Sequence, residues 1–282
     1  MPLVAVDNGH GMNTAGKRTP PLQQDLVING VTVRKAGEVI HEKEWNRAVA
    51  DRLIIALNRC NVQTLDVAPG LSDVSIASRY TAANNAKADL FISIHYNALN
   101  AIWNWGKSTP QKGYTLMFVS QYASQKTKDF AKVVQDEIAR VVPFPNNGVA
   151  SDYAYMGINV GVLRNTNMPA ILSEYGFMDL WEHAQYMLNP HKQDEAAEAM
   201  CKGICKYLGV AYVPPQSQPQ PAPEPEPTPT PTDKGKYYAV QLGAYEAKAN
   251  AVDQLNKAKQ AGFGDAYIIL KDTANHTYTE EV

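Results

Sequence analysis

Leu90-Phe91-Ile92-Ser93-Ile94-His95-Tyr96-Asn97-Ala98 decides how this chain folds. Its first five residues are apolar apart from Ser93, so they read as a strand, Leu90–Ile94, covered on both faces rather than one alternating between core and solvent. Such strands belong to sheets with helices on either side. The flanking sequence agrees. A helical stretch, Ser78–Lys87, precedes the strand, and Tyr114–Val119 and then a helix across Gln125–Arg140 follow it. Further out, Leu3–Val6 reads as a first strand, Asn61–Leu65 as a second, and Ala170–Ser173 as a short apolar strand. Glu42–Arg59 carries Trp45, Val49, Leu53, Ala56 and Leu57 at helical spacing, and a last helix covers Gln193–Leu208. Strands alternating with helices predict an α/β domain with a mostly parallel twisted sheet flanked by helices.

The chemistry-bearing residues cluster at strand ends. His10 in Asn8-Gly9-His10-Gly11, His95, and Glu174 in Ile171-Leu172-Ser173-Glu174 each stand at or just past the C-terminal end of a predicted strand, and Glu42 stands at the N-terminus of a predicted helix. In open α/β sheets ligands bind outside the carboxyl ends of the strands, so these distant residues are expected to be neighbours. Two imidazoles and one carboxylate form a catalytic zinc set with an open position for water. A second carboxylate is then needed as general base and acid, and Glu174 is the candidate. Glu38, Glu42 and Glu44 compete for the carboxylate ligand, and spacing does not choose between them. Gly9 and Gly11 are expected to let the backbone turn sharply and let a substrate approach. The remaining histidines, His41, His183, His191 and His276, read as surface residues.

The chain has 282 residues, a formal charge of -2 and three cysteines, Cys60, Cys201 and Cys205. Near-neutrality gives no electrostatic case for nucleic acid or an anionic membrane. An odd, low cysteine count argues against a disulfide framework. Cys201 and Cys205 share a helix face and read as small apolar core residues rather than a metal pair. No stretch is long and apolar enough to span a membrane. The segment from Met1 lacks the basic and apolar regions of a secretory signal, so synthesis in the cytoplasm, or a mature form whose signal has been removed, is expected. One boundary is plain: residues 213–236 are proline-rich, a semi-rigid polyproline spacer reaching roughly 50 Å over about 18 residues. It separates residues 1–212 from a small α+β tail, 237–282, in which Tyr237–Leu242 and Ala266–Leu270 read as strands and Ala247–Ala261 as a helix, with a hint of another strand in Thr277–Val282.

Four ordered motifs make residues 3–208 resemble the Amidase_3 family of zinc amidases: Asn8-Gly9-His10-Gly11; Glu42-Lys43-Glu44-Trp45-Asn46, matching EKxxN; Ser93-Ile94-His95-Tyr96-Asn97-Ala98; and Pro169-Ala170-Ile171-Leu172-Ser173-Glu174-Tyr175-Gly176-Phe177. Ser78-Arg79 to Ala88-Asp89 and Val162-Leu163-Arg164 also match the pattern. The resemblance selects Glu42 over Glu38 and Glu44. It implies that His10, Glu42 and His95 bind one Zn2+, that Glu174 activates water, and that the amide between the lactyl group of N-acetylmuramic acid and L-alanine of peptidoglycan is hydrolysed. A zinc peptidase acting on the stem peptide and a non-catalytic peptidoglycan-binding protein are the alternatives. Asn97 and Arg164 are candidate substrate-binding residues, and Trp103 and Trp105 are candidates for stacking on sugar faces.

Departures from the family pattern are Tyr175, Met178-Asp179-Leu180, a long insert over residues 13–37, and the Trp103–Trp105 extension; they bear on substrate preference. The tail is similar to the first half of a SPOR peptidoglycan-binding module. Action at the bacterial cell wall as an autolysin or endolysin, reached by holin-type or mother-cell lysis, and a monomeric state are the matching expectations.

Overall fold

The computed structural model describes residues 1–215 and two further strands, β9 (Ile268–Asp272) and β10 (Thr277–Glu281). The chain divides into two units, Met1–Ser217 and Gln218–Val282. In the second, β9 and β10 pair antiparallel, with Ile268 opposite Glu281. The expected strand Tyr237–Leu242, the helix Ala247–Ala261 and the spacer beyond residue 215 lie outside the described residues.

The first unit is a six-stranded sheet between two layers of helices. Strands β1 (Leu3–Asn8), β4 (Gln63–Asp66), β5 (Leu90–Asn97), β6 (Thr115–Val119), β7 (Asn146–Ser151) and β8 (Ala170–Phe177) are ordered β4-β1-β5-β8-β6-β7. β4, β1, β5 and β8 run parallel; β6 and β7 are parallel to each other but antiparallel to β8. The sheet is therefore mostly parallel, and β5 is one of its two central strands, with helices covering both faces. That double cover is why Leu90–Ile94 is an unbroken buried run.

Helices α1 (Glu42–Arg59), α3 (Gln125–Ile138) and α7 (Pro190–Leu208) cover one face. Trp45, Val49, Leu53, Ala56 and Leu57 of α1 are all fully buried there, as a stripe at helical spacing requires. The other face is covered by α2 (Ile76–Asn85) and the short α5 (Gly161–Arg164). Helix ends follow local chemistry. Ser75 caps α2 by accepting the Ser78 N–H at 3.1 Å. Asn189 caps α7, accepting from His191 and Lys192, with Pro190 at the first helical position. That Asn-Pro pair starts α7 three residues before the apolar periodicity does.

Five elements were not legible as such. β7 is an edge strand with one bulky apolar residue, Val149, so it carries no apolar run. Residues 13–37 contain a hairpin of β2 (Leu26–Ile28) and β3 (Val31–Arg34), turned at Asn29-Gly30 with both residues at positive φ. That dipeptide is the strongest short hairpin signal. The helices α4 (Asp152–Met156) and α6 (Trp181–Met187) are too short to show a period.

Candidate active site

β1, β5 and β8 all end on the same edge of the sheet, and α1 begins there. β5 and β8 run through His95 and Glu174 to Asn97 and Phe177, so both residues belong to the last stretch of a strand rather than to a loop. They are register partners in adjacent parallel strands, so their side chains share one face. Residue 175 lies on the opposite face, where Tyr175 is buried against Trp45 and Tyr96 with ring centroids 4.7 and 6.2 Å away. This departure from the family pattern therefore falls in the core, on the face away from His95 and Glu174.

Glu42 is the first residue of α1 and is buried. Its Oε1 accepts from the Tyr96 N–H at 3.0 Å and the Asn46 amide at 3.3 Å, and lies 2.9 Å from His95 Nδ1. Its Oε2 lies 3.4 Å from His10 Nε2. The rings of His10 and His95 meet edge to face, with centroids 4.8 Å apart. One ligand atom from each of His10, Glu42 and His95 lies within 4.8 Å of the others. Donors about 2.1 Å from a tetrahedral zinc stand about 3.4 Å from one another, which is the His10–Glu42 separation found here. Two imidazole nitrogens and a carboxylate oxygen are also the right donor types. The residues fit the metal. Among the three competing carboxylates, Glu44 turns to Arg34 and the His41 N–H, and Glu38 accepts from the Lys35 N–H.

The electrostatics separate the roles. Burial, with His95 beside it, lowers the His10 pKa to about 3, leaving its lone pair free near neutrality. Glu42 is held at about 2 against its burial by its bond to His95 and the charges of both histidines. His95 is raised by Glu42 in spite of burial. Glu174 goes the other way: burial, with Glu42 adding to it, raises its carboxyl to about 8. Its Oε2 is buried without a hydrogen-bond partner. A desolvated carboxyl titrating near neutrality beside a metal-type donor set is suited to moving protons.

The EKxxN motif builds this edge one residue at a time. Lys43 is fully buried and its Nζ bonds the Asn8 backbone oxygen at 3.1 Å and the Asn8 side chain. Asn46 donates to the Gly9 carbonyl at 3.1 Å as well as to Glu42. Arg79, also buried, pairs with Asp7 at 2.7 Å and Asp73 at 2.6 Å and reaches the His10 carbonyl at 3.4 Å. Ser93 holds the other Asp7 oxygen at 2.6 Å. His10 itself has φ 59°, the left-handed region that non-glycine residues adopt only when their surroundings enforce it. The two glycines serve packing, not the turn: neither has positive φ, a Cβ on Gly9 would overlap the His95 ring, and one on Gly11 would overlap the Asp73 backbone.

The other candidate residues are placed as follows. Asn97 ends β5, but its Oδ1 takes the neighbouring Ala98 N–H at 2.8 Å. Arg164 ends α5, is exposed, and forms no ion pair among the described residues. Trp103 donates to the Pro21 carbonyl at 2.7 Å and, with Trp105, packs on a third tryptophan, Trp181, at 5.5 and 5.6 Å. Trp105 remains 48% exposed. The loop bearing them is anchored by Asp179, fully buried, which accepts the N–H groups of Leu99, Asn100 and Ala101 at 2.7 to 2.9 Å. An acidic residue departing from a family pattern just after β8 was the only signal for it.

Two histidines read as surface residues are not exposed. His183 is buried, stacked on Phe144 at 3.4 Å, and its Nδ1 accepts the Phe177 N–H; its polar-looking stretch is the helix α6, folded against the core. His41 is half-buried at the cap of α1. His191 is exposed as expected, and His276 lies outside the described residues.

The chain is 25% identical over 273 residues to the N-acetylmuramoyl-L-alanine amidase CwlM of Bacillus licheniformis, covering 97% of this chain and 87% of that relative. It is 30% identical over 211 residues to an endolysin of Bacillus phage SPP1, covering 74% of this chain and 66% of the endolysin. Among solved structures, the N-acetylmuramoyl-L-alanine amidase of Clostridium difficile 630 superposes with a TM-score of 0.59 at 27% identity, over 74% of this chain and 97% of that one. The Amidase_3 sequence model, described as N-acetylmuramoyl-L-alanine amidase, matches residues 4–206, and the chain belongs to that family.

Proposed function

We propose that this protein hydrolyses the amide between the lactyl group of N-acetylmuramic acid and L-alanine in peptidoglycan, with zinc held by His10, Glu42 and His95. The observation that carries this reading is the meeting of those three side chains beside Glu174, whose carboxyl oxygen is buried and unpartnered. When bound there, zinc supplies Lewis-acid polarisation of a carbonyl and acidifies water. Glu174 takes a proton from the attacking water as its oxygen adds to the lactyl carbonyl carbon. It returns that proton to the L-alanine nitrogen as the C–N bond breaks. Glu42 keeps His10 and His95 oriented through both of its oxygens, and Lys43, Asn46 and Arg79 hold the His10 turn. Trp105 offers a half-exposed ring to a sugar face, Trp103 supports it, and Asn97 and Arg164 complete the proposed substrate contacts. Among the described residues no helix is long and apolar enough to cross a membrane, and the proposed place of action is the bacterial cell wall.

Mass spectrometry of purified peptidoglycan after digestion, with and without a chelator, tests the reading. Free stem peptides beginning at L-alanine, absent when chelated, are expected. Cuts within the stem peptide would replace the amidase with a zinc peptidase, and no cut on several wall types would leave a binding protein. For residues 213–236 as spacer and 237–282 as a partial SPOR-like module, pelleting with sacculi is expected to weaken when residues 213–282 are removed; equal pelleting would refute that part.

A further inference from the structure

Burial alone is what small apolar core residues would show, and Cys60, Cys201 and Cys205 are all buried. The structure adds that they converge. Cys60 caps the C-terminal end of α1, eighteen residues from Glu42, while Cys201 and Cys205 lie one turn apart on α7, which packs along α1. Cys60 Sγ is 3.7 Å from Cys201 Sγ, and Cys201 Sγ is 3.9 Å from Cys205 Sγ. All three sulfurs lie within 4.8 Å of one another, and none is in a disulfide. Thiolates bound at about 2.3 Å to one ion stand about 3.8 Å apart at a tetrahedral angle and about 4.0 Å apart in a trigonal plane, so two of the three separations already match and the third, within 4.8 Å, needs to close by at most about 1 Å.

Polar groups cover the cluster at one corner. The Val213 N–H donates to Cys60 Sγ at 3.2 Å. Arg59 lies over the same corner: its Nε donates to the Val213 carbonyl at 2.8 Å, and its Nη2 pairs with Glu198 at 2.7 Å. Tyr212 closes the cover by donating to Glu198 at 2.6 Å. Burial raises the Cys60 thiol, the bond to Cys205 together with burial raises Cys201 well above the usual thiol range, and the bond from Cys201 lowers Cys205 to about 7; a bound cation displaces the remaining thiol protons.

We propose that Cys60, Cys201 and Cys205 form a second metal site, distinct from the one at His10, Glu42 and His95, that takes a thiophilic cation of the zinc class through three sulfurs. Binding releases the thiol protons to solvent, and a divalent ion with three thiolates carries a single negative charge beside the Arg59–Glu198 pair. Because Val213 bonds Cys60 directly, an ion here fastens the end of α1, α7 and the segment that leads into the proline-rich stretch to one point. It stabilises the domain without entering the chemistry.

The test is a cadmium titration of the full-length reduced chain after chelation, followed by thiolate-to-cadmium charge-transfer absorption, which the His10, Glu42 and His95 set cannot produce. The expected result is a band that saturates at one ion per chain, persists in His95→Ala, and disappears in Cys201→Ala and Cys205→Ala while both keep peptidoglycan hydrolysis. Zinc bound after dialysis should fall by one ion per chain in the cysteine variants. The wild-type titration needs no variant to fold. No band from a wild-type chain with three titratable thiols, a band unchanged in Cys201→Ala, or a disulfide between any two of the three in the reduced preparation would overturn the proposal.

Discussion

Glu174→Gln should make the metal-free protein more stable while removing most of its turnover. The carboxyl is partly exposed at its rim, but Oε2 is buried without a partner and the group titrates at about 8. An unfolded chain protonates the same carboxyl near 4.5. The folded state therefore binds the extra proton between those values, and wild-type stability falls as pH rises through that window. At about 1.4 kcal/mol per pH unit the full window corresponds to about 5 kcal/mol. Hydration of the exposed rim reduces this, and about 1–3 kcal/mol is expected. A neutral amide of the same shape carries no such penalty.

The gain should be absent below pH 4.5 and complete above pH 8, raising the melting temperature by about 2–4 °C per kcal/mol in a domain of this size. Thermal unfolding in chelator from pH 4 to pH 9 measures it, and turnover on peptidoglycan after zinc is restored should drop by about 10²–10⁴-fold. A variant no more stable than wild type at pH 8 would show that Glu174 is well solvated or paired. Near-normal turnover would place the general base elsewhere.

His95→Ala should lose both zinc after dialysis and hydrolysis; retention of stoichiometric zinc in a variant that also lacks the three-sulfur ion would exclude His95 as a ligand. Gly9→Ala puts a methyl group into the His95 ring, so zinc affinity should fall at least tenfold in a folded protein, as a competition assay with a chromophoric chelator would read; unchanged affinity would mean the ring has room to move. Asp179→Asn replaces an acceptor of three backbone N–H groups with a neutral amide and should cost about 1–3 kcal/mol. Faster hydrogen exchange at Leu99, Asn100 and Ala101 with zinc content unchanged is the expected signature, and unaltered exchange would refute the anchoring role.

Much of this protein follows from local sequence. The buried run before His95, the stripe from Trp45 to Leu57 and the apolar strand before Glu174 name their elements because burial on both faces of a sheet, or along one side of a helix, leaves a period in the residues. The donor types of the candidate site are legible for the same kind of reason: polar side chains at the ends of apolar strands are costly unless they are used. Tertiary structure alone decided the rest. The edge strand β7 and the short helices α4 and α6 leave no period, since their stability comes from the neighbours they pack on. The burial of Lys43 and Arg79, the loop hold of Asp179, the core position of His183 and the packing role of Gly9 depend on atoms tens of residues away. The same holds for Cys60, which no spacing rule joins to Cys201 and Cys205: the three sulfurs meet because α1 and α7 lie side by side, a long-range packing choice made by the whole core.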